Sequence, residues 1–206
     1  GGVDSLCLTT LYGFASLQLT SSQPCRPYDA ARDGISIGEG AAFALLERAE
    51  QPAPGTVMLL GVGESSDAYH MSAPHPQGLG AELAMQAALA DAGLPAQAID
   101  YINLHGTATE QNDAMESLAV HALFGARVPV SSTKRLTGHA LGAAGALEAA
   151  LAYLALTDNP EGLLPPHWLS GEIDPRLPPL QVVVPGQRLG RPLRNVLSNS
   201  FAFGGS

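Results

Sequence analysis

Apolar positions along this chain fall into two alternating patterns. Short apolar runs at residues 40–47, 57–63, 101–104, 128–132, 180–184 and 193–198 predict strands. A Pro/Gly break at residues 52–55 separates the first two, so they predict an antiparallel pair, with 40–47 buried. Segments with helical spacing lie between the runs. Residues 4–21 predict a helix broken around Gly13, and residues 78–93 a helix with Leu79, Leu83, Met85 and Leu89 on its apolar face and Gly93 as its stop. Residues 113–124 predict a helix capped by Asp113, and residues 141–156 one with an Ala-rich face. Strands alternating with helices predict an α/β layered domain with a mainly parallel sheet and antiparallel additions near each end.

Composition narrows the setting. The chain has 206 residues, enough for one compact domain or part of a larger one. Only 14% of residues are charged, and glycine and alanine are abundant. Such a chain packs its elements closely and predicts that another segment or subunit covers much of its surface. A net charge of -9 without any Lys/Arg-rich run weighs against nucleic acid as a partner. No apolar stretch is long enough for a bilayer, and no leader pattern opens the chain. Cys7 and Cys25 have neither metal-ligand spacing nor a disulfide framework, which predicts a reducing, cytoplasmic setting. Both ends read as cut, since Gly1-Gly2-Val3 follows no strand and the chain stops in the Gly-rich turn after Phe203, although a tag scar also accounts for Gly1-Gly2.

Two histidines carry the candidate chemistry. His105 and His139 each follow an apolar run that leads into a Gly-bracketed polar turn, where α/β proteins concentrate their sites. Beside His105, Thr107 and Thr109 alternate, so both hydroxyls face one way and suit a polar, amide-bearing arm. His139 opens the helix that begins near Leu141, and the partial positive charge of a helix start keeps an imidazole neutral. A neutral imidazole there stabilises a developing oxyanion. Lys134 sits in a turn that reads as buried and needs a counter-charge. Glu148, alone among Ala and Leu, supplies it. The final Phe-Gly-Gly turn presents backbone N–H groups to an anion beside a movable aromatic, Phe203. Neither cysteine has the setting of a nucleophile: Cys7 falls in the first apolar helix and Cys25 in a loop.

Five blocks together resemble the C-terminal half of an elongating β-ketoacyl-acyl-carrier-protein synthase, a condensing enzyme with the thiolase-like fold. They are Arg26-Pro-Tyr-Asp-Ala-Ala-Arg-Asp-Gly34, Ser65-Ser-Asp-Ala-Tyr-His-Met71, His105-Gly-Thr-Ala-Thr109 with Asp113, the stretch from Lys134 through Gly145, and that from Ser198 through Gly205. They run in family order across nearly the whole chain. The chain departs from the family's usual pattern at Glu110, normally Pro, and Asn112, normally Gly.

The resemblance implies a layered α/β fold with a mixed sheet flanked by helices. Residues 1–63 would close the N-terminal thiolase-like half, and residues 64–206 would form the C-terminal half without its last strand. It implies decarboxylative Claisen condensation of a malonyl thioester with an acyl-enzyme, in fatty acid or polyketide synthesis. His105 and His139 are then the two active-site histidines, Lys134 and Glu148 the nearby ion pair, Phe203 the gate and oxyanion-hole residue, and Thr107 and Thr109 the pantetheine holders. No metal or soluble cofactor is implied, because the phosphopantetheine belongs to the acyl carrier protein. The family's nucleophilic cysteine lies upstream of this chain, so the chain alone is expected to be inactive. Implied partners are the missing N-terminal half, the carrier protein, and a second synthase chain in a homodimer or heterodimer. A second reading is a non-catalytic synthase-like subunit that sets chain length. Retention of both histidines and Lys134 favours the enzyme.

Overall fold

The computed structural model describes residues 1–205. Four strands form one parallel sheet: β3 (Tyr101–Asn103), β4 (Pro129–Ser131), β5 (Gln181–Val182) and β6 (Val196–Ser198), in the order β5-β4-β3-β6. Register runs Ile102 opposite Val130 and Leu197, and Val130 opposite Val182. Alternation along β3 sends neighbouring side chains to opposite faces. Ile102 and Leu104 join Met85 and Leu89 of α2 (Leu79–Ala92) and Met115, Val120 and Phe124 of α3 (Glu110–Phe124) in the larger core. Tyr101 instead packs with Ala155 of α5 (Ala144–Leu156), Leu164, Val183 and Leu193. The sheet is therefore covered by helices on both faces, and three strand ends release their following residues at one edge: Leu104-His105, Ser132 to Lys134, and Asn199 to Phe201.

The N-terminal region adds a separate antiparallel ladder between β1 (Gly2–Asp4) and β2 (Gly40–Ala42), lying against α5. The partner of β2 is thus β1, and not residues 57–63 as patterning predicted. Only residues 40–42 pair, and Phe43, Leu45 and Leu46 beyond them are exposed instead of buried. Residues 57–63 carry no ladder because they lie across α2: a Cβ on Gly63 would fall 1.9 Å from the Ala84 carbonyl, and Val62 N–H donates to Asp91 at 3.0 Å. An apolar run announces burial on a neighbour without naming the neighbour. At the C-terminal side, β5 and β6 are both parallel additions, so the antiparallel expectation holds only at the N-terminal side.

Helix ends differ from patterning in three places. The first helix, α1 (Leu8–Ser16), runs through Gly13 without a break. Helix α3 starts at Glu110, one turn ahead of Asp113, because the Thr109 hydroxyl accepts the Asn112 N–H and takes the capping role. After Lys134 the chain makes the short α4 (Lys134–Thr137), and α5 begins only at Ala144 after a single 3-10 turn. Among the described residues, no helix is long and apolar enough to cross a membrane.

Two alanine substitutions separate backbone contact from helix propensity. Gly63→Ala is expected to destabilise the fold by about 1–3 kcal/mol, since α2 must shift to admit the methyl. Gly13→Ala meets no atom within 4 Å and is expected to stabilise by up to about 1 kcal/mol. Urea unfolding midpoints check both signs.

Candidate active site

The His105 loop is built on a buried carboxylate. Glu116 of α3 accepts hydrogen bonds from the His105 N–H (2.8 Å), the Gly106 N–H (2.8 Å), the Tyr28 hydroxyl (2.6 Å) and the Asn199 side-chain amide (3.0 Å). Asp113 on the same helix accepts from the Tyr28 N–H (2.7 Å), the Ala108 N–H (3.2 Å) and the Asn112 side chain (3.1 Å). Burial pushes the Asp113 carboxyl up to about 6, with those hydrogen bonds opposing the shift. Gly106 is required by close approach: its φ is +39°, and a Cβ there would lie 2.5 Å from the Ser132 side chain. The role of Glu116 was missed in the sequence, although a signal existed. Asp113, Glu116 and Ser117 occupy the stripe that continues as Val120 and Phe124, so polar groups stand where a helix shows its core face.

Lys134 emerges from the carboxyl end of β4 and is buried, as its turn predicted. Its Nζ donates to the His105 carbonyl at 2.6 Å and pairs with Glu148 of α5. Burial raises the Glu148 carboxyl and the lysine opposes that shift. The pair inferred from the sequence forms, and it grips the backbone of His105 instead of its ring.

His139 is placed by its own backbone: its N–H donates to the Ser36 carbonyl at 2.7 Å, and its carbonyl accepts the Gly38 N–H at 3.0 Å. The His105 and His139 rings meet edge to face with centroids 5.3 Å apart. His105 is held well below its ordinary value by burial first, then by Lys134 and His139. His139 is drawn down to about 3 by burial and by Lys134. The helical run expected near Leu141 begins there as a 3-10 turn that continues into α5, two residues after His139, and burial is the main cause of the lowering. Both rings are neutral near pH 7, and neither Nδ1 has a hydrogen-bond partner among the described residues.

Both imidazoles line a cavity of about 840 Å³. Thr107 and Thr109 line it too, with their hydroxyls 3.1 Å apart, and Thr109 also caps α3. The Glu110 and Asn112 departures leave this turn intact: Glu110 opens α3 and reaches Arg176, and Asn112 bonds Asp113. Phe201, not singled out by patterning, is the ring against His105 at 5.7 Å. Phe203 lines the cavity half-exposed, with Phe14 at 6.1 Å. Neither cysteine lines this cavity. Cys7 precedes α1 instead of lying within it, exposed and lowered by the Thr10 hydroxyl. Cys25 is buried, which raises its thiol. The arrangement offers two neutral imidazoles to one cavity, which suits an oxygen that gains negative charge there.

Two family models match the chain: the β-ketoacyl synthase C-terminal domain over residues 57–168 and the N-terminal domain of the same family over residues 1–52. The chain belongs to the β-ketoacyl synthase family. The 3-oxoacyl-[acyl-carrier-protein] synthase 2 of Rhizobium meliloti (strain 1021) is 42% identical over 221 residues, which take in 100% of this chain and 51% of that protein. A chain from the complex of a ketosynthase (ApeO) with its chain length factor (ApeC) from Xenorhabdus doucetiae is 45% identical, with a TM-score of 0.85 over 100% of this chain and 50% of that one. A β-ketoacyl synthase from Burkholderia phymatum STM815 is 37% identical, with a TM-score of 0.83 over 99% of this chain and 51% of that one. The chain thus spans about half the length of the relatives it matches, and its fold is the layered α/β fold of these ketosynthases.

Neutral buried imidazoles impose a pH dependence on stability. The unfolded His139 ring titrates near 6.5, the folded one at about 3, so the unfolded state takes up the proton first as pH falls. This contribution is complete above the unfolded value and is lost as pH drops toward the folded one. His105 acts in the same direction and Asp113 in the opposite one. His139→Gln is therefore expected to lose Tm less steeply than the parent between about pH 6.5 and 4, as read by thermal unfolding across that range.

Proposed function

We propose that this chain forms the histidine-bearing part of a β-ketoacyl-acyl-carrier-protein synthase that performs decarboxylative condensation. The observation that carries this reading is the pair of unprotonated imidazoles, 5.3 Å apart, facing one cavity. A malonyl thioester held there by Thr107 and Thr109 places its carbonyl oxygen against both rings. The bond between its carboxylate and its α-carbon breaks, CO₂ departs, and the electron pair moves onto the thioester oxygen as an enolate. Neutral His105 and His139 each donate one hydrogen bond to that oxygen as its charge grows. The α-carbon then attacks an acyl thioester on a cysteine that residues outside this chain supply, and the cysteine leaves as thiolate. Lys134, already committed to Glu148 and the His105 carbonyl, holds His105 and takes no proton. Phe203 gates the mouth and lends its backbone N–H to the acyl oxygen.

No soluble cofactor enters this scheme; the pantetheine arm arrives with an acyl carrier protein. Pairing with a second synthase chain fits the relatives solved as ketosynthase–chain length factor complexes. Those complexes also motivate the second reading, a chain-length subunit without catalysis, but that role gives two neutral, unpartnered imidazoles nothing to do. A cytoplasmic, dimeric enzyme is the full proposal.

In the full-length gene product, His139→Ala is expected to lower malonyl decarboxylation by about 100-fold or more while acyl transfer to the cysteine stays measurable. Carbon dioxide release and acid-stable acyl label, measured separately, check this. Equal loss of both half-reactions contradicts the role given to His139, and no decarboxylation by the parent supports the chain-length reading.

A further inference from the structure

A second buried histidine, besides His105, lies beneath the site, and the condensation scheme does not use it. His167 follows Pro165-Pro166 and is 2% exposed. Its Nδ1 accepts the Ser132 N–H at 3.1 Å. That acceptor role puts the ring proton on Nε2, which donates to the Pro27 carbonyl at 3.0 Å. Burial draws the ring down to about 4, so it keeps this single neutral form near pH 7.

Each of its two hydrogen bonds leads to His105. On one side, the Ser132 hydroxyl donates to the Gly106 carbonyl at 2.7 Å and accepts the Lys134 N–H at 3.3 Å, while Lys134 Nζ binds the His105 carbonyl. On the other side, Pro27 precedes Tyr28, whose ring packs on His167 with centroids 5.9 Å apart. The Tyr28 N–H binds Asp113 and its hydroxyl binds Glu116, the acceptor of the His105 and Gly106 N–H groups. His167 thus joins the loop that orients the N–H side of the His105 peptide to the turn that orients its carbonyl side.

We propose that His167 is a positioning residue for His105: its ring, donor at one nitrogen and acceptor at the other, sets the spacing between the Tyr28 loop and the Ser132 turn. This inference rests on the condensation reading above and adds a residue to it. The oxygen of an asparagine sits where Nδ1 does, so His167→Asn keeps the Ser132 bond. His167→Gln reaches Pro27 but leaves the Ser132 N–H unpaired, and His167→Leu keeps neither bond.

The test is steady-state malonyl-thioester decarboxylation by the full-length protein and these variants, alongside Tm and the imidazole ¹⁵N resonances of His105. His167→Leu is expected to lower kcat by about tenfold or more with KM within about twofold, and to move the His105 resonances. His167→Asn should restore kcat to within about threefold of the parent, with His167→Gln below it. A fall in Tm with kcat per folded molecule unchanged overturns the inference, as does an Asn variant no better than Gln. That Asn–Gln contrast decides the matter even if the leucine variant does not fold. A parent protein without decarboxylase activity overturns the condensation reading and this inference with it, whereas an active parent indifferent to His167 overturns this inference alone.

Discussion

One carboxylate organises this site. Glu116 is fully buried and accepts four hydrogen bonds from three separate stretches of chain: the His105 loop, the Tyr28 loop and the turn after β6. Burying a lone carboxylate is costly, and the cost is offset only when its lone pairs are filled by well-placed donors. Each donor here therefore depends on the others. The backbone around His105 therefore has little freedom, and its ring inherits a fixed platform.

Electrostatics work in the same direction as the scaffold. Burial makes a positive charge unfavourable on both imidazoles, and the Lys134 ammonium beside His105 adds to that. Glu148 on the same ammonium keeps the lysine itself tolerable in a buried setting. The combination leaves rings that donate and accept hydrogen bonds but do not carry charge. A protonated ring would bind a carboxylate tightly, whereas a neutral one favours the moment at which charge moves onto an oxygen.

Much of this was legible in the residues themselves. Strand β3 leading into His-Gly-Thr, the burial of Lys134 and its pairing with Glu148 all follow from local pattern and the cost of an unpaired charge. What patterning missed has a common cause, which is that partners distant in sequence leave no local trace. Residues 40–42 pair with residues 2–4 instead of 57–63, although both choices satisfy the same alternation. Asp113 reads as a cap because cap residues are polar and local, yet its carboxylate serves Tyr28, a residue 85 positions away. His139 stays neutral mainly through burial, with a cation from a separate turn adding to it, and neither shows in its local pattern. Phe201 and Phe203 are indistinguishable in a Phe-Ala-Phe string until the backbone assigns one to His105 and the other to the mouth.

Lys134 is also the only lysine in the chain, the other nine cationic side chains being arginines. Its ammonium is sealed between a carboxylate and a carbonyl, so the outer surface of this polypeptide presents guanidinium groups and no side-chain amine. Amine-directed chemistry, whether a succinimide dye or a cross-linker, therefore finds no accessible lysine on residues 1–206.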